Sequence, residues 1–75
     1  MKRGFIENTG LARSELQYIL HQRISNERDR DVFERAYLDD VPYEQVAVEF
    51  DLSVRRVKEI SHRIEKEITK HLVIR

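Results

Sequence analysis

At 75 residues the chain has room for one small domain, which buries only roughly 60–65% of the surface its unfolded form exposes. It has no cysteine, which excludes disulfides, thiolate–metal staples and thiol catalysis. Lys plus Arg and Asp plus Glu number 14 each, two Gly and one Pro are present, and 37% of residues are charged, a composition suited to a compact helical protein. There is no apolar run near the roughly 18 residues that a membrane span requires. Met1-Lys2-Arg3 meets Gly4, Glu7 and Asn8 where a signal peptide needs an apolar stretch. The expectation is a soluble, cytoplasmic chain with no contact to a membrane.

The zero net charge hides a sorted distribution. Residues 1–26 carry four basic and two acidic side chains; residues 27–51 carry three against nine, a net of −6; residues 52–75 carry seven against three, a net of +4, with His62 and His71 in addition. A basic C-terminal element can meet a polyanion while the acidic segment faces elsewhere.

Apolar residues recur at spacings of three and four, not two, so the chain reads as four helices with no strand. After a polar lead at Asn8-Thr9-Gly10, Ser14 starts a capping box with Gln17, and Leu16, Ile19, Leu20 and Ile24 fall on one face. Ser25-Asn26 breaks the pattern and caps a second helix lined by Val32, Phe33, Ala36 and Tyr37, with Glu27, Asp29 and Asp31 suiting its N-terminal dipole. Asp39-Asp40-Val41-Pro42 is the next break, with Pro42 at a helix start, where its missing N–H costs little. A short helix over about 43–50 follows, with Val46, Ala47 and Phe50 inward. Ser53 then caps a long final helix from Val54 to about His71, with Val57, Ile60, Ile64 and Ile68 inward and Leu72 extending the stripe. The boundaries are a single helical domain over 1–75, with an N-terminal arm and helix at 1–26 and a core at 27–71.

The run from Tyr43 to Ile60 has the requirements of a helix-turn-helix. Two helices crossing steeply over a short turn need a small residue at their closest approach, and Ala47 stands there. Val46 and Phe50 point inward, Leu52 plugs the turn, and Val57 and Ile60 answer from the second helix. Asp51 occupies a turn position that usually carries Gly because φ is positive; Asp tolerates that geometry at modest cost.

Residues 28–63, from Arg28-Asp29-Arg30-Asp31-Val32-Phe33 through Tyr43-Glu44-Gln45-Val46-Ala47 to Leu52-Ser53-Val54 and Val57-Lys58, resemble region 4 of the sigma-70 family of RNA polymerase sigma factors. Asp40 stands where that family favours Gly, and Pro42 where it favours a capping Ser. Nothing in the sequence corresponds to the sigma domains that melt promoter DNA, so the expectation is a small stand-alone protein of the kind carried by bacteria, phages or mobile elements. The resemblance implies a DNA-binding recognition helix. It also implies docking on the β flap of RNA polymerase through the first helices.

Around the final helix, Arg55, Lys58, Glu59, His62 and Lys66 lie opposite the apolar arc, and Arg56 and Arg63 share one flank. This arrangement suits a helix in the major groove, with base edges under the central strip and phosphates beside it. Arg55, Lys58, Glu59 and His62 are the candidate base contacts, with Arg55 matched to guanine O6/N7 and Glu59 to a cytosine amino group. Ser53, Arg56, Arg63 and Lys66 are the candidate phosphate contacts. Two other readings stay open. Arg55, Glu59, Arg63, Glu67 and His71 are spaced by four, which also makes a ladder of surface pairs worth ~0.2–0.5 kcal/mol each. The acidic middle segment is either a solvated face or a contact for a basic partner. Likewise the N-terminal helix either completes the core or makes a homodimer of the sort a two-fold operator reader needs.

Other chemistries lack a pattern. The three His are 41 and 9 residues apart, with no metal spacing, so no metal or cofactor is expected. No phosphate loop, nucleophile elbow or His–acid motif occurs, so no enzymatic activity is expected, and Asp39, Asp40 and Glu44 read as solvated turn acids. Tyr18, Tyr37 and Tyr43 read as core rim with wet hydroxyls. The sequence thus points to an all-α DNA-binding transcription regulator with double-stranded DNA as its partner. The rival is an interaction module that binds RNA polymerase or a sigma or anti-sigma partner without reading DNA.

Overall fold

The computed structural model of the chain describes residues 2–74, with side chains over residues 4–72. Five α-helices follow one another, α1 (Lys2–Thr9), α2 (Arg13–Arg23), α3 (Glu27–Phe33), α4 (Tyr43–Glu49) and α5 (Val54–Ile74), and α3 continues into a π-helical turn over Glu34–Leu38. There is no strand among the described residues. The all-helical expectation therefore stands, but the count of four does not: the N-terminal lead is itself a helix. Asn8 and Thr9 are its last turn and Gly10, at φ 69°, is its stop. The Thr9 hydroxyl donates to the Ile6 carbonyl at 2.7 Å and accepts from the Leu11 N–H at 3.2 Å, closing the end. Phe5 and Ile6 pack on the core from this helix, Phe5 edge-on to Tyr37 with ring centroids 6.1 Å apart.

The start of α2 also differs from expectation. Because α1 runs to Thr9, only Gly10, Leu11 and Ala12 separate the two helices, and α2 begins at Arg13. Glu15, not Gln17, reaches back to the N-terminal turn, accepting from the Ala12 N–H at 2.9 Å. Ser14 is an exposed residue inside the helix, and Gln17 donates instead to Glu34 at 3.2 Å. The apolar face is as read: Leu16, Ile19, Leu20 and Ile24 are all buried.

Asn26 caps α3, its Oδ1 accepting from the Asp29 N–H at 3.1 Å. The widened turn that follows brings the adjacent Ala36 and Tyr37 both inside, and Tyr37 stacks on Phe33 at 4.2 Å. Both turns in the second half of the chain need left-handed backbone from a non-Gly residue, Asp40 at φ 58° and Asp51 at φ 54°. At the second, the Leu52 N–H reaches the Ala47 carbonyl at 2.8 Å and the Asp51 N–H reaches Val48 at 3.3 Å. These are the two bonds of a Schellman motif, with Asp in the place usually given to Gly.

The helix α5 is the spine. Val57, Ile60, Ile64 and Ile68 are buried, as their spacing predicts, and α2, α3 and α4 all pack against it. At 21 residues it spans roughly 30 Å, three residues beyond the His71 end expected from the pattern. Tyr37 and Tyr18 depart from the rim reading in opposite directions. Tyr37 is buried and its hydroxyl is bonded to Tyr43 at 3.0 Å and to Glu65, while Tyr18 is 62% exposed. Burial and then the bond to Glu65 push the Tyr37 phenol well above its ordinary pKa.

Candidate nucleic-acid interface

The helix-turn-helix forms from α4, the Asp51 turn and α5. Val46, Ala47, Val57 and Ile60 are buried at the crossing; Phe50 and Leu52 are only half-buried, packed on the core's edge where the turn leaves it. The Ser53 hydroxyl accepts from the Arg56 N–H at 3.0 Å, capping α5 and fixing where its first turn begins. With the apolar stripe committed to the core, the opposite side of α5 must face water. Arg55, Lys58, Glu59, His62 and Lys66 are all exposed there.

These side chains are loosely held. Arg55 lies 3.5 Å from Glu59 and Arg56 lies 3.6 Å from the same carboxylate, and the Arg55 side chain is 89% exposed. Pairs of this kind contribute a few tenths of a kcal/mol at most. Lys58, His62 and Lys66 have no side-chain partner among the described residues. The strip is therefore a set of exposed polar side chains on one helix, with a single carboxylate among basic residues.

Arg63 is different. It lies on the same flank as Arg56, but its Nη2 is bonded to Asp29 of α3, a carboxylate only 3% exposed. Sequence reasoning assigned Arg63 to phosphate and left Asp29 among the surface acids. The signal was present: Asp29 precedes Val32, Phe33 and Ala36 by three, four and seven residues, which places it on the buried stripe.

Part of the acidic segment is paired within the chain. The Arg35 guanidinium takes Glu49 with two bonds of 2.8 and 2.9 Å. Gln45 adds a bond to Glu49 at 3.2 Å, and both hold the Glu49 carboxyl below its usual range, Arg35 most strongly. Asp39 is lowered chiefly by Arg13 at 2.9 Å and then by Arg35 at 3.4 Å. The Arg35 guanidinium offsets the charge of the Glu49 carboxylate on α4, the helix that precedes α5.

No group of three His, Asp or Glu side chains among the described residues is placed to hold a metal ion, and no helix among them is long and apolar enough to cross a membrane. One shallow cleft beside α5 is lined by side chains already in ion pairs, among them Arg23, Asp29, Arg56, Arg63 and Glu67.

No curated protein and no solved structure matches the chain significantly. A model of the family described as Sigma-70, region 4 matches residues 26–69, from the cap of α3 through the crossing helices to the last buried turn of α5. Left-handed turns at Asp40 and Asp51, a small residue at the crossing and a Ser-capped basic helix are what that match covers, and the chain belongs to the sigma-70 region 4 family of DNA-binding helix-turn-helix domains.

Proposed function

We propose that the protein is a sequence-specific transcription regulator that reads promoter DNA in the major groove with α5, from its start at Val54, in the bacterial or phage-infected cytoplasm. Arg55, Lys58, Glu59 and His62 face base edges, and Ser53, Arg56, Arg63 and Lys66 meet phosphates on either side. Residues 27–71 form the reading unit, and 1–26 complete its core through α1 and α2. The observation that carries this reading is the two-sided character of α5. Its buried stripe fixes the helix against three others, while its outer strip presents long polar side chains without strong internal partners. A single copy makes few phosphate contacts and so binds weakly. Useful affinity then comes from a second copy or from RNA polymerase.

The test is selection from a random duplex pool at low and moderate salt, wild type against Arg55→Ala. Enrichment of one sequence by the wild type, lost in the variant and weakened by about 0.9 log units per phosphate contact for each tenfold rise in salt, is the expected result. No enrichment by the wild type, with a salt-resistant complex to polymerase subunits instead, sinks it in favour of a protein-interaction module.

A further inference from the structure

We propose that Asp29 is a positioning residue for the DNA-binding surface: from the α3–α5 interface its carboxylate fixes the Arg63 guanidinium so that the remaining N–H groups meet a backbone phosphate. The inference rests on the DNA-binding reading above and adds to it a residue that touches no DNA.

Asp29 sits where an apolar residue would serve the core. Its side chain is 3% exposed, on the stripe shared by Val32, Phe33 and Ala36, all fully buried. A carboxylate there costs several kcal/mol of desolvation unless its oxygens are filled, and they are. Oδ1 accepts from Arg28 at 3.2 and 3.4 Å, and Oδ2 accepts from Arg63. The backbone at Asp29 is fixed as well, its N–H bonded to the Asn26 side chain at 3.1 Å. The carboxylate therefore points one way, across the interface to α5.

Arg63 is held at one nitrogen only, and its side chain remains 55% exposed. Five N–H groups in a rigid fork allow a guanidinium to be gripped on one edge by a carboxylate and to offer another edge outward. Arg56, seven residues earlier on the same flank, opens onto the same cleft together with Asn26 and Ser25. A free Arg loses rotamer entropy when it docks on phosphate. One already fixed by a buried partner has lost it on folding, so more of the contact appears as affinity. Arg28 and Arg63 share the one carboxylate, so the cluster keeps a single net positive charge, and Asp29 fixes where Arg63 presents it.

The experiment is a double-mutant cycle on DNA binding. Wild type, Asp29→Asn, Arg63→Gln and the double variant are titrated against the duplex that the wild type enriches and against a random-sequence duplex, with helicity checked by circular dichroism. Asp29→Asn and Arg63→Gln should each weaken the enriched duplex roughly tenfold, about one charge-assisted hydrogen bond, and the double variant no further. Additive losses, or an Asp29→Asn variant that binds like the wild type, overturn the proposal. Should Asp29→Asn fail to fold, Arg63→Lys decides, since it lies at the surface. It keeps the charge and loses the fork, so it should bind as poorly as Arg63→Gln, and wild-type binding by Arg63→Lys overturns the proposal. A wild type that binds neither duplex overturns the DNA reading itself, which the cycle distinguishes from failure of the positioning role alone.

Discussion

Two arginine–carboxylate contacts on α5 lie within three turns of each other and behave as different materials. At Glu59, two arginines approach one carboxylate at 3.5 and 3.6 Å with every partner open to water. At Asp29, Arg63 meets a carboxylate sealed beneath α3. The chemistry is the same and the solvent is not. In water the Coulomb gain is screened and offset by side-chain ordering; in the interior the pair must persist, because an unpartnered buried carboxylate is costly. One helix thus carries an exposed, weakly paired carboxylate at Glu59 and, one turn later, an arginine anchored to α3.

The largest effect expected from breaking this contrast is at the buried end. Asp29→Ala should lower stability by about 1–3 kcal/mol in urea unfolding, since it leaves Arg28 and Arg63 without their acceptor. The loss stays below that of a fully interior pair because both arginines can turn to water, their side chains being 45% and 55% exposed. Ser61 sharpens the point. Among the described residues it is the other buried polar one, its hydroxyl has no hydrogen-bond partner there, and it faces the core between Val57 and Ile64. Ser61→Ala should raise stability by about 1 kcal/mol, measured the same way. A matched buried polar group loses stability when removed, and an unmatched one gains it.

How far the sequence discloses these features follows from which forces are local. The buried stripe of α5 and the face of α2 come from periodicity, which burial against a single core enforces. The left-handed turn at Asp51 is legible because backbone sterics leave few residue types for positive φ, whereas Asp40 is marked only by standing where the family favours Gly. The helix α1 was missed because Asn8-Thr9-Gly10 reads equally well as an irregular lead or as a C-terminal stop. What decides is Phe5 packing on Tyr37, a contact 32 residues away in sequence. The candidate DNA strip is readable as an exposed face, since it is whatever the apolar stripe leaves over. The Arg63–Asp29 pair is readable only in part: spacing puts Asp29 on the buried stripe of α3, but nothing in the sequence names Arg63 as its partner until α3 and α5 are brought together.

A third, intermediate class of pair lies on the acidic segment. Arg35 holds Glu49 and Asp39 from outside the core, with all three side chains partly exposed. Both acids have pKa values below their ordinary ones. Their stabilising contribution is therefore present above the unfolded carboxylate range and is lost as pH falls from about 4.5 through the depressed values. Arg35→Gln should flatten that part of the acid limb. Stability against pH, measured for both proteins between neutrality and about pH 3, should converge at the acid end; parallel curves would remove Arg35 as the cause.

The smallest effect on stability, and the most informative for recognition, belongs to Glu59. Glu59→Gln removes the carboxylate shared by Arg55 and Arg56, and thermal unfolding should move by less than about 0.5 kcal/mol, as for other exposed pairs. DNA binding should respond in two opposed ways. Affinity for random duplex rises, because an acid facing phosphate is gone and two arginines are released from it. Preference for the enriched site falls, because the acceptor proposed for a cytosine amino group has become an amide that also donates. A ratio of specific to random affinity that stays constant would show that Glu59 tunes charge and reads nothing. A ratio that drops while stability stays level separates recognition from folding at a single atom substitution, which the buried pair behind it does not permit.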